Sequence, residues 1–459
     1  MTIGVQNLSS QITTRLAASP TGLTCCQLEG ARDILETASV ESVASVAALP
    51  NPLDNKGRFF FVQDICAFRY SDGVIWTNEY YTGSCGTIAY AWGCNTCGLL
   101  GDNSVVTKNS PVTTSGGVTT WCQISAGFLH TAAVKTDGTA WTWGFNSQGR
   151  LGNNSVVARS SPGTTEGGGT TWCQISAGYH TAAVKTDGTA WTWGRNYCGQ
   201  LGNGTAGFGS YRSSPITTSG GGYTWCQISA SMSNNGHTAA VKTDGTAWSW
   251  GANNAGQLGN CTIVSSFSPI TPCGGGFTWC QISAGFLHTV AVKTDGTAWT
   301  WGVNAQGRLG NNSVAARSSP GITEGGGTTW CQISAGYHTA AVKTDGTAWT
   351  WGINNSGQLG NGLVGASSYR SSPVITSGGG TTWCQIHAGD AQTAALKTDG
   401  TAWTWGRNGA GQLGDGSFTG RSSPGNVSGG GTTWCQISAG ACHTAAIKIN
   451  TSPLFSEPL

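Results

Sequence analysis

The apolar positions of this chain fall in short, strand-length runs broken by glycine clusters and Asp-Gly pairs, and the same order of runs returns down most of the sequence. One copy reads Trp121-Cys122-Gln123-Ile124-Ser125-Ala126-Gly127, then His130-Thr131-Ala132-Ala133-Val134-Lys135-Thr136-Asp137-Gly138, then Thr139-Ala140-Trp141-Thr142-Trp143-Gly144. The Trp-Cys pair begins at Trp121, Trp172, Trp225, Trp279, Trp330, Trp383 and Trp434, in steps of 51 to 54 residues by subtraction. The Trp-x-Trp-Gly element ends at Gly144, Gly194, Gly251, Gly302, Gly352 and Gly406. A divergent copy, Tyr90-Ala91-Trp92-Gly93, precedes the first Trp-Cys. The repeat region therefore opens on a second half-unit and closes on a first half-unit.

Each unit reads as four strands. Strand A lies at Trp-Cys-Gln-Ile-Ser, B at His-Thr-Ala-Ala-Val-Lys, and C at Thr-Ala-Trp-Thr-Trp. A weaker strand D follows a recurrent proline (Pro111, Pro162, Pro215, Pro269, Pro320, Pro373, Pro424). Asp-Gly between B and C is a tight hairpin turn. Four strands at a period near 50 residues fit propeller blades, whereas an α-solenoid needs helical periodicity. The expected fold is an all-β, seven-bladed β-propeller over residues 85–450. Strands A and B from 434–449 would share a blade with C and D from about 86–114, which closes the ring and leaves only short, protected edges.

Residues 1–84 differ from the rest. Leu28, Ala31, Ile34, Leu35 and Ala38 have helical spacing. Phe59–Val62, Ile65–Tyr70 and Val74–Trp76 read as short strands, with Ser71-Asp72-Gly73 as the turn between the last two. A meander this small is marginal alone. It is expected to be a small α+β module that packs on its helix, on the propeller or on copies of itself, and so to anchor or assemble the protein. Residues 451–459 form a tail.

Twenty of the 21 tryptophans are repeat positions, Trp76 being the exception by subtraction. Trp141 and Trp143 lie two apart and point to one sheet face. A ring of tryptophans packed between blades is the expected core, with an aromatic sugar platform as the alternative. Seven of the 17 cysteines (Cys122, Cys173, Cys226, Cys280, Cys331, Cys384, Cys435) are one repeat position and read as small, buried apolar side chains of strand A. Cys94-Asn95-Thr96-Cys97 is a C-x-x-C with no second pair at zinc-site spacing. Cys261 and Cys273 flank one loop, and their pairing stays open.

Composition narrows the function classes. Charged residues are 9% of the chain and the net charge is +2, so neither the basic face of a nucleic-acid binder nor a polybasic membrane signal is present. The start, Met1 to Ser10, lacks the basic and apolar regions of a signal peptide, and no run approaches a membrane span. Six of the seven histidines (His130, His180, His237, His288, His338, His443) share one repeat position, which blade six fills with Gln392 while His387 takes a serine position. Asp137 and its equivalents sit before glycine in a turn. Glu166 and Glu324 occupy equivalent positions of two copies. No nucleophile–base pair, paired carboxylates or phosphate loop appears. No catalytic, metal or cofactor site is expected, and the protein is expected not to be an enzyme.

The order Ile-Ser-Ala-Gly, His-Thr-Ala-Ala-Val, Asp-Gly-Thr-Ala-Trp-Thr-Trp-Gly, then Asn-x-x-Gly-Gln/Arg-Leu-Gly (as in Gly149-Arg150-Leu151-Gly152 and Gly199-Gln200-Leu201-Gly202) resembles the regulator of chromosome condensation repeat family over residues 85 to 449. The resemblance implies a seven-bladed propeller used as a binding surface, and a framework role for the repeated histidine. Family members include a nucleotide exchange factor, ubiquitin ligase modules and a propeller-type β-lactamase inhibitor. The exchange factor inserts a wedge between strands. These near-uniform blades carry none, so exchange is not expected. Leu49-Pro50, Gly57–Val62 and Tyr70–Trp76 resemble a module of phage tail and appendage proteins.

Strand alternation puts the A–B and C–D loops on one face and the B–C turns on the other. The B–C turns are monotonous, while the first face varies. Phe128, Leu129, Phe145, Tyr179, Arg195, Met232, Asn234, Phe286, Leu287, Tyr337, Asp390 and Arg407 are the candidate recognition face. The expected function is non-enzymatic recognition: a virion or tail appendage, assembled as a homo-oligomer or larger complex through its N-terminal module. It would bind a host protein or glycan without nucleic acid or membrane insertion, on a virion or extracellular. The alternative is a soluble, cytoplasmic bacterial adaptor or inhibitor that binds another protein.

Overall fold

The computed structural model describes residues 86–450, apart from 116–119 and the single positions 168, 221, 223, 275, 277, 326 and 379, together with the backbone of four short strands before residue 82. Those four, Glu41–Val43, Phe59–Val62, Ala67–Tyr70 and Tyr80–Tyr81, form one sheet in that order. Its first pair is parallel and the others are antiparallel. The helix read over residues 28–38 and the strand at Val74–Trp76 lie outside the described residues.

Seven further four-stranded sheets make up the propeller. In blade 1, strands A to D are Trp121–Ala126, His130–Lys135, Ala140–Gly144 and Arg159–Thr164. Blades 2 to 6 repeat this arrangement from Trp172, Trp225, Trp279, Trp330 and Trp383. Blade 7 joins the two ends of the repeat region: A and B are Trp434–Ala439 and His443–Ile449, and C and D are Thr87–Gly93 and Lys108–Thr113. Its B–C ladder runs unbroken from His443↔Gly93 to Ile449↔Thr87.

The core is built on a large-against-small rule. Each blade turns its tryptophans toward the alanine and valine face of the preceding blade. Trp172, Ile175 and Trp193 of blade 2 pack on Ala132, Val134 and Ala140 of blade 1, and Trp121 and Trp143 of blade 1 pack on Ala89, Ala91 and Ala445 of blade 7. Trp141 and Trp143 do share a face: both stand edge-on to Trp121, at 5.9 and 6.1 Å between centroids. Each buried indole removes on the order of 150–250 Å² from water. Lys135 Nζ sits 4.1 Å over the partly buried Trp141 ring, and the same lysine recurs over Trp191, Trp248, Trp299, Trp349 and Trp403, so these rings carry a lysine where a sugar platform needs an open face.

The repeated cysteine departs from expectation. Only Cys173 is buried, while Cys226, Cys280 and Cys435 are exposed. The register explains why. Trp121 faces Lys135 but Gln123 faces Val134, so Cys122 is the extra residue of a β-bulge and falls out of the inward alternation. Its thiol is placed to donate to Val134 O. Cys261 and Cys273 form a disulfide.

Candidate functional site

Three sets of cross-blade hydrogen bonds hold the centre of the ring. Gln123 Oε1 accepts the N–H of Ile175 in the next blade, and the same bond recurs at every step round to Gln436 and Ile124. Ser125 Oγ accepts from Ala177, and five other serines do likewise. The seventh place belongs to His387, whose Nδ1 accepts from Ala439.

The histidine position forms the third set. His130 Nε2 lies 2.8 Å from Thr181 Oγ1 of blade 2, and Thr181 spends its only hydrogen on Arg150 O. The threonine must therefore accept, which places the proton on Nε2. Five equivalents repeat the geometry, and in blade six the Gln392 amide donates to Gly440 O instead. Burial without a counter-charge pushes His180, His237, His338 and His443 down to about 3, so they are neutral. These histidines are joints. Gly285 must be glycine because a Cβ there would lie 2.6 Å from His288 Cε1. The turn aspartates are joints as well: Asp137 accepts from the Thr139 N–H and hydroxyl, and Thr139 in turn accepts from the Trp141 indole. Among the described residues no group of three His, Cys, Asp or Glu side chains converges as a metal set.

Above these sets the A–B loops close a collar. Phe128 N–H donates to Gly178 O, Tyr179 to Ser231 O, Phe286 to Gly336 O, Tyr337 to Gly389 O, Asp390 to Gly440 O and Ala441 to Gly127 O. In the remaining step Ser231 Oγ donates to Gly285 O. The collar fixes the side chains it carries. Phe128 packs on Tyr179 at 4.5 Å and Phe286 on Tyr337 at 3.9 Å. Beneath each pair lies an arginine where most blades have glutamine in Gly-x-Leu-Gly. Arg150, 3% exposed, stacks 5.1 Å from both Phe145 and Tyr179, donates to Tyr179 O and Gln148 Oε1, and has no partner for Nη1. Arg308 stacks under Tyr337.

From blade 1 the arc continues outward. Arg195 stacks over Tyr179 and Tyr197 at 5.7 and 5.4 Å, and Tyr197 stands edge-on to Phe208, which is 98% exposed. Gln148, Arg195, Tyr197, Phe208 and Tyr211 line a cleft of about 320 Å³ between the C–D loops of blades 1 and 2. No carboxylate pairs with Arg150 or Arg195 among the described residues.

The structure thus brings Phe128, Phe145, Tyr179 and Arg195 into one patch, and Phe286 and Tyr337 into a second. Leu129 and Leu287 are half-buried and Asn234 and Arg407 are exposed. Met232 is buried and offers nothing to a ligand. Burial raises the Asp390 carboxyl above its usual range, with Arg407 opposing. Sequence reading missed the outer half of the arc and an apolar rim. The C–D loops expose Val105 and Val106, Val156 and Val157, Phe208, Ile263 and Val264, Val314, Leu363 and Val364, and Phe418, at least one apolar side chain from every blade. Its signal is one or two apolar residues soon after each Leu-Gly, inside an otherwise polar loop.

Residues 88–446 match the RCC1-like domain. The chain belongs to the RCC1-like domain family. It is 30% identical to the ultraviolet-B receptor UVR8 of Arabidopsis thaliana, over 71% of this chain and 74% of that protein. It is 28% identical to the mitochondrial RCC1 domain-containing protein RUG3 of the same plant, over 60% and 61%, so it spans about three fifths of RUG3. It spans 4% of human E3 ubiquitin-protein ligase HERC2, at 26% identity. Among solved folds of this kind, Prp20p of Saccharomyces cerevisiae, described with its binding properties to Gsp1p and histones, superposes with a TM-score of 0.71 at 18% identity, over 81% of this chain and 94% of that one. Human WBSCR16 superposes at 0.68 and 19% identity, over 79% and 98%. The seven-bladed RCC1-like propeller with four-stranded blades is the fold of this chain.

Proposed function

We propose that this RCC1-like propeller is a non-enzymatic recognition protein whose A–B and C–D face binds a protein partner of acidic and apolar surface. The observation that carries the proposal is the Phe128–Tyr179–Arg150–Arg195–Tyr197–Phe208 arc. Rigid aromatic side chains interleave with arginines that no carboxylate pairs with among the described residues, on a rim that keeps apolar side chains in water. Rigid aromatics and arginine are the side chains that dominate interface energetics. Contiguous exposed apolar patches mark interaction sites. Prp20p is described by its binding to Gsp1p and histones, and a protein ligand here follows that pattern. The test is affinity capture by the full chain, by a Tyr179→Ala/Arg195→Glu variant, and by Asp345→Asn on the opposite face. A partner held by the wild type and by Asp345→Asn but lost from the arc variant supports the assignment. Equal capture by all three overturns it.

The narrower part of the proposal is a virion or tail appendage that residues 1–84 anchor and oligomerise, facing a host protein or glycan. Its support is the resemblance carried by residues 49–76. A protein lacking residues 1–84 that still assembles normally would remove that part and leave a soluble bacterial adaptor or inhibitor as the reading.

A further inference from the structure

Two cysteines meet where the propeller closes. In blade 7 the pairing of His443 with Gly93 brings Cys442 opposite Cys94 at the next position, and Cys94 N–H donates to Cys442 O at 2.8 Å. Residues directly opposite in an antiparallel pair have Cα atoms about 4.5–5.5 Å apart, inside the 4.4–6.8 Å range that a disulfide spans. The same bond joins Phe145 to Leu129, Ala252 to Gly236, Val303 to Leu287 and Arg407 to Ala391 in other blades. The cysteine pair thus sits only in the blade that joins the two ends of the repeat, and both thiols are half-buried and unbridged.

We propose that Cys94 and Cys442 form a reversible disulfide that covalently locks the closing blade. The bond would tie strand C of the first half-unit to strand B of the last, across nearly the whole propeller. The thiols already interact. Interaction with the Cys442 side chain holds Cys94 down to about 5, and the Cys442 thiol is raised. The Thr96 hydroxyl lies 3.6 Å from Cys94 Sγ, and Asp390 and Arg407 are the charged neighbours of Cys442. The repeated strand-A thiols behave oppositely: burial pushes Cys331 and Cys384 up to about 11. Cys94 is therefore the attacking thiolate.

The oxidant is a low-molecular-weight disulfide such as glutathione disulfide. The Cys94 thiolate attacks one of its sulfurs, a mixed disulfide forms, and one glutathione thiolate leaves and takes up the Cys442 proton. The Cys442 thiolate then attacks the Cys94 sulfur and expels the second glutathione as thiolate. One protein disulfide is made, and one small disulfide is reduced to one thiol and one thiolate, the latter taking up a proton from water.

The test equilibrates the full chain in reduced and oxidised glutathione, traps free thiols by alkylation, and maps disulfides by mass spectrometry of non-reduced peptides. The expected result is a Cys94–Cys442 cross-linked peptide that rises with glutathione disulfide and disappears on reduction. Faster migration in non-reducing denaturing electrophoresis and a rise in melting temperature of several degrees should accompany it. Cys97→Ser keeps all three signals and Cys442→Ser loses them. A Cys94–Cys97 bond in place of the cross-link overturns the proposal, as does the absence of any Cys94–Cys442 peptide from correctly folded wild-type protein at every glutathione ratio.

Discussion

His387 Nδ1 accepts the backbone N–H of Ala439 at 3.2 Å, filling the place that Ser125, Ser176, Ser229, Ser283, Ser334 and Ser438 hold at the other six blade junctions. One acceptor lone pair is all the junction requires, and an imidazole supplies it as a hydroxyl does. The difference is that an imidazole can be protonated, and the protonated ring cannot accept.

His387→Ser should therefore leave stability at pH 7 within about 1 kcal/mol of the wild type, the size of one exchanged hydrogen bond. It should also reduce the loss of stability on acidification, because burial holds His387 down to about 4 in the folded protein against about 6.5 unfolded. Urea midpoints for both proteins at pH 7 and pH 5 decide this, and an equal acid shift in the two rules it out.

The six histidines of the threonine-linked set predict acid lability for the whole propeller. Their folded values lie below the unfolded value, so the unfolded chain binds more protons throughout the window between them. Their contribution is complete above about 6.5 and is lost as pH falls toward the folded values, which burial puts at about 3 for His180, His237, His338 and His443 and well below the ordinary value for His130 and His288. Denaturant midpoints should be flat from pH 8 to 7 and fall steeply below 6. His338→Gln, which copies Gln392, should flatten the curve. A midpoint independent of pH between 7 and 4.5 would refute this account.

The two kinds of core tryptophan differ in chemistry. Trp143 Nε1 donates to Leu99 O, whereas Trp121 Nε1 is buried without a hydrogen-bond partner. Trp143→Phe should cost about 1 kcal/mol more than Trp121→Phe because it leaves the junction one bond poorer. Truncation of either to alanine should cost about 3–5 kcal/mol through the cavity it leaves. Chemical denaturation of the four variants checks the ranking.

Gly152 has φ +63° and lies under the next blade's indole, where a Cβ would meet Trp193 Nε1 at 2.7 Å. Gly152→Ala should destabilise by about 1–3 kcal/mol, from the left-handed backbone and the displaced ring together. Gly167→Ala, with a similar φ and open space around it, should cost only the backbone share. A thermal melt that shows the two variants equal would refute the packing part.

The sequence by itself determined the period, the A to C strands, the Asp-Gly turns, the blade count and the two-plus-two closure. These are written in local order: an apolar run between turn residues identifies a strand wherever it falls, and an offset of half a unit leaves one way to complete the last blade. It also named Phe128, Phe145, Tyr179 and Arg195 through their departure from near-identical copies. Only the tertiary structure decided which of those residues touch, that Met232 is buried, and that Arg150 lies beneath the rings. Only the tertiary structure showed that Cys122 leaves the alternation through a bulge. His387 standing for serine and Cys94 facing Cys442 belong there too. Each of those contacts depends on strand register or on how side chains from different strands and blades are brought together. Their distance is set by how one blade rotates onto the next, a geometry that no stretch of local sequence contains.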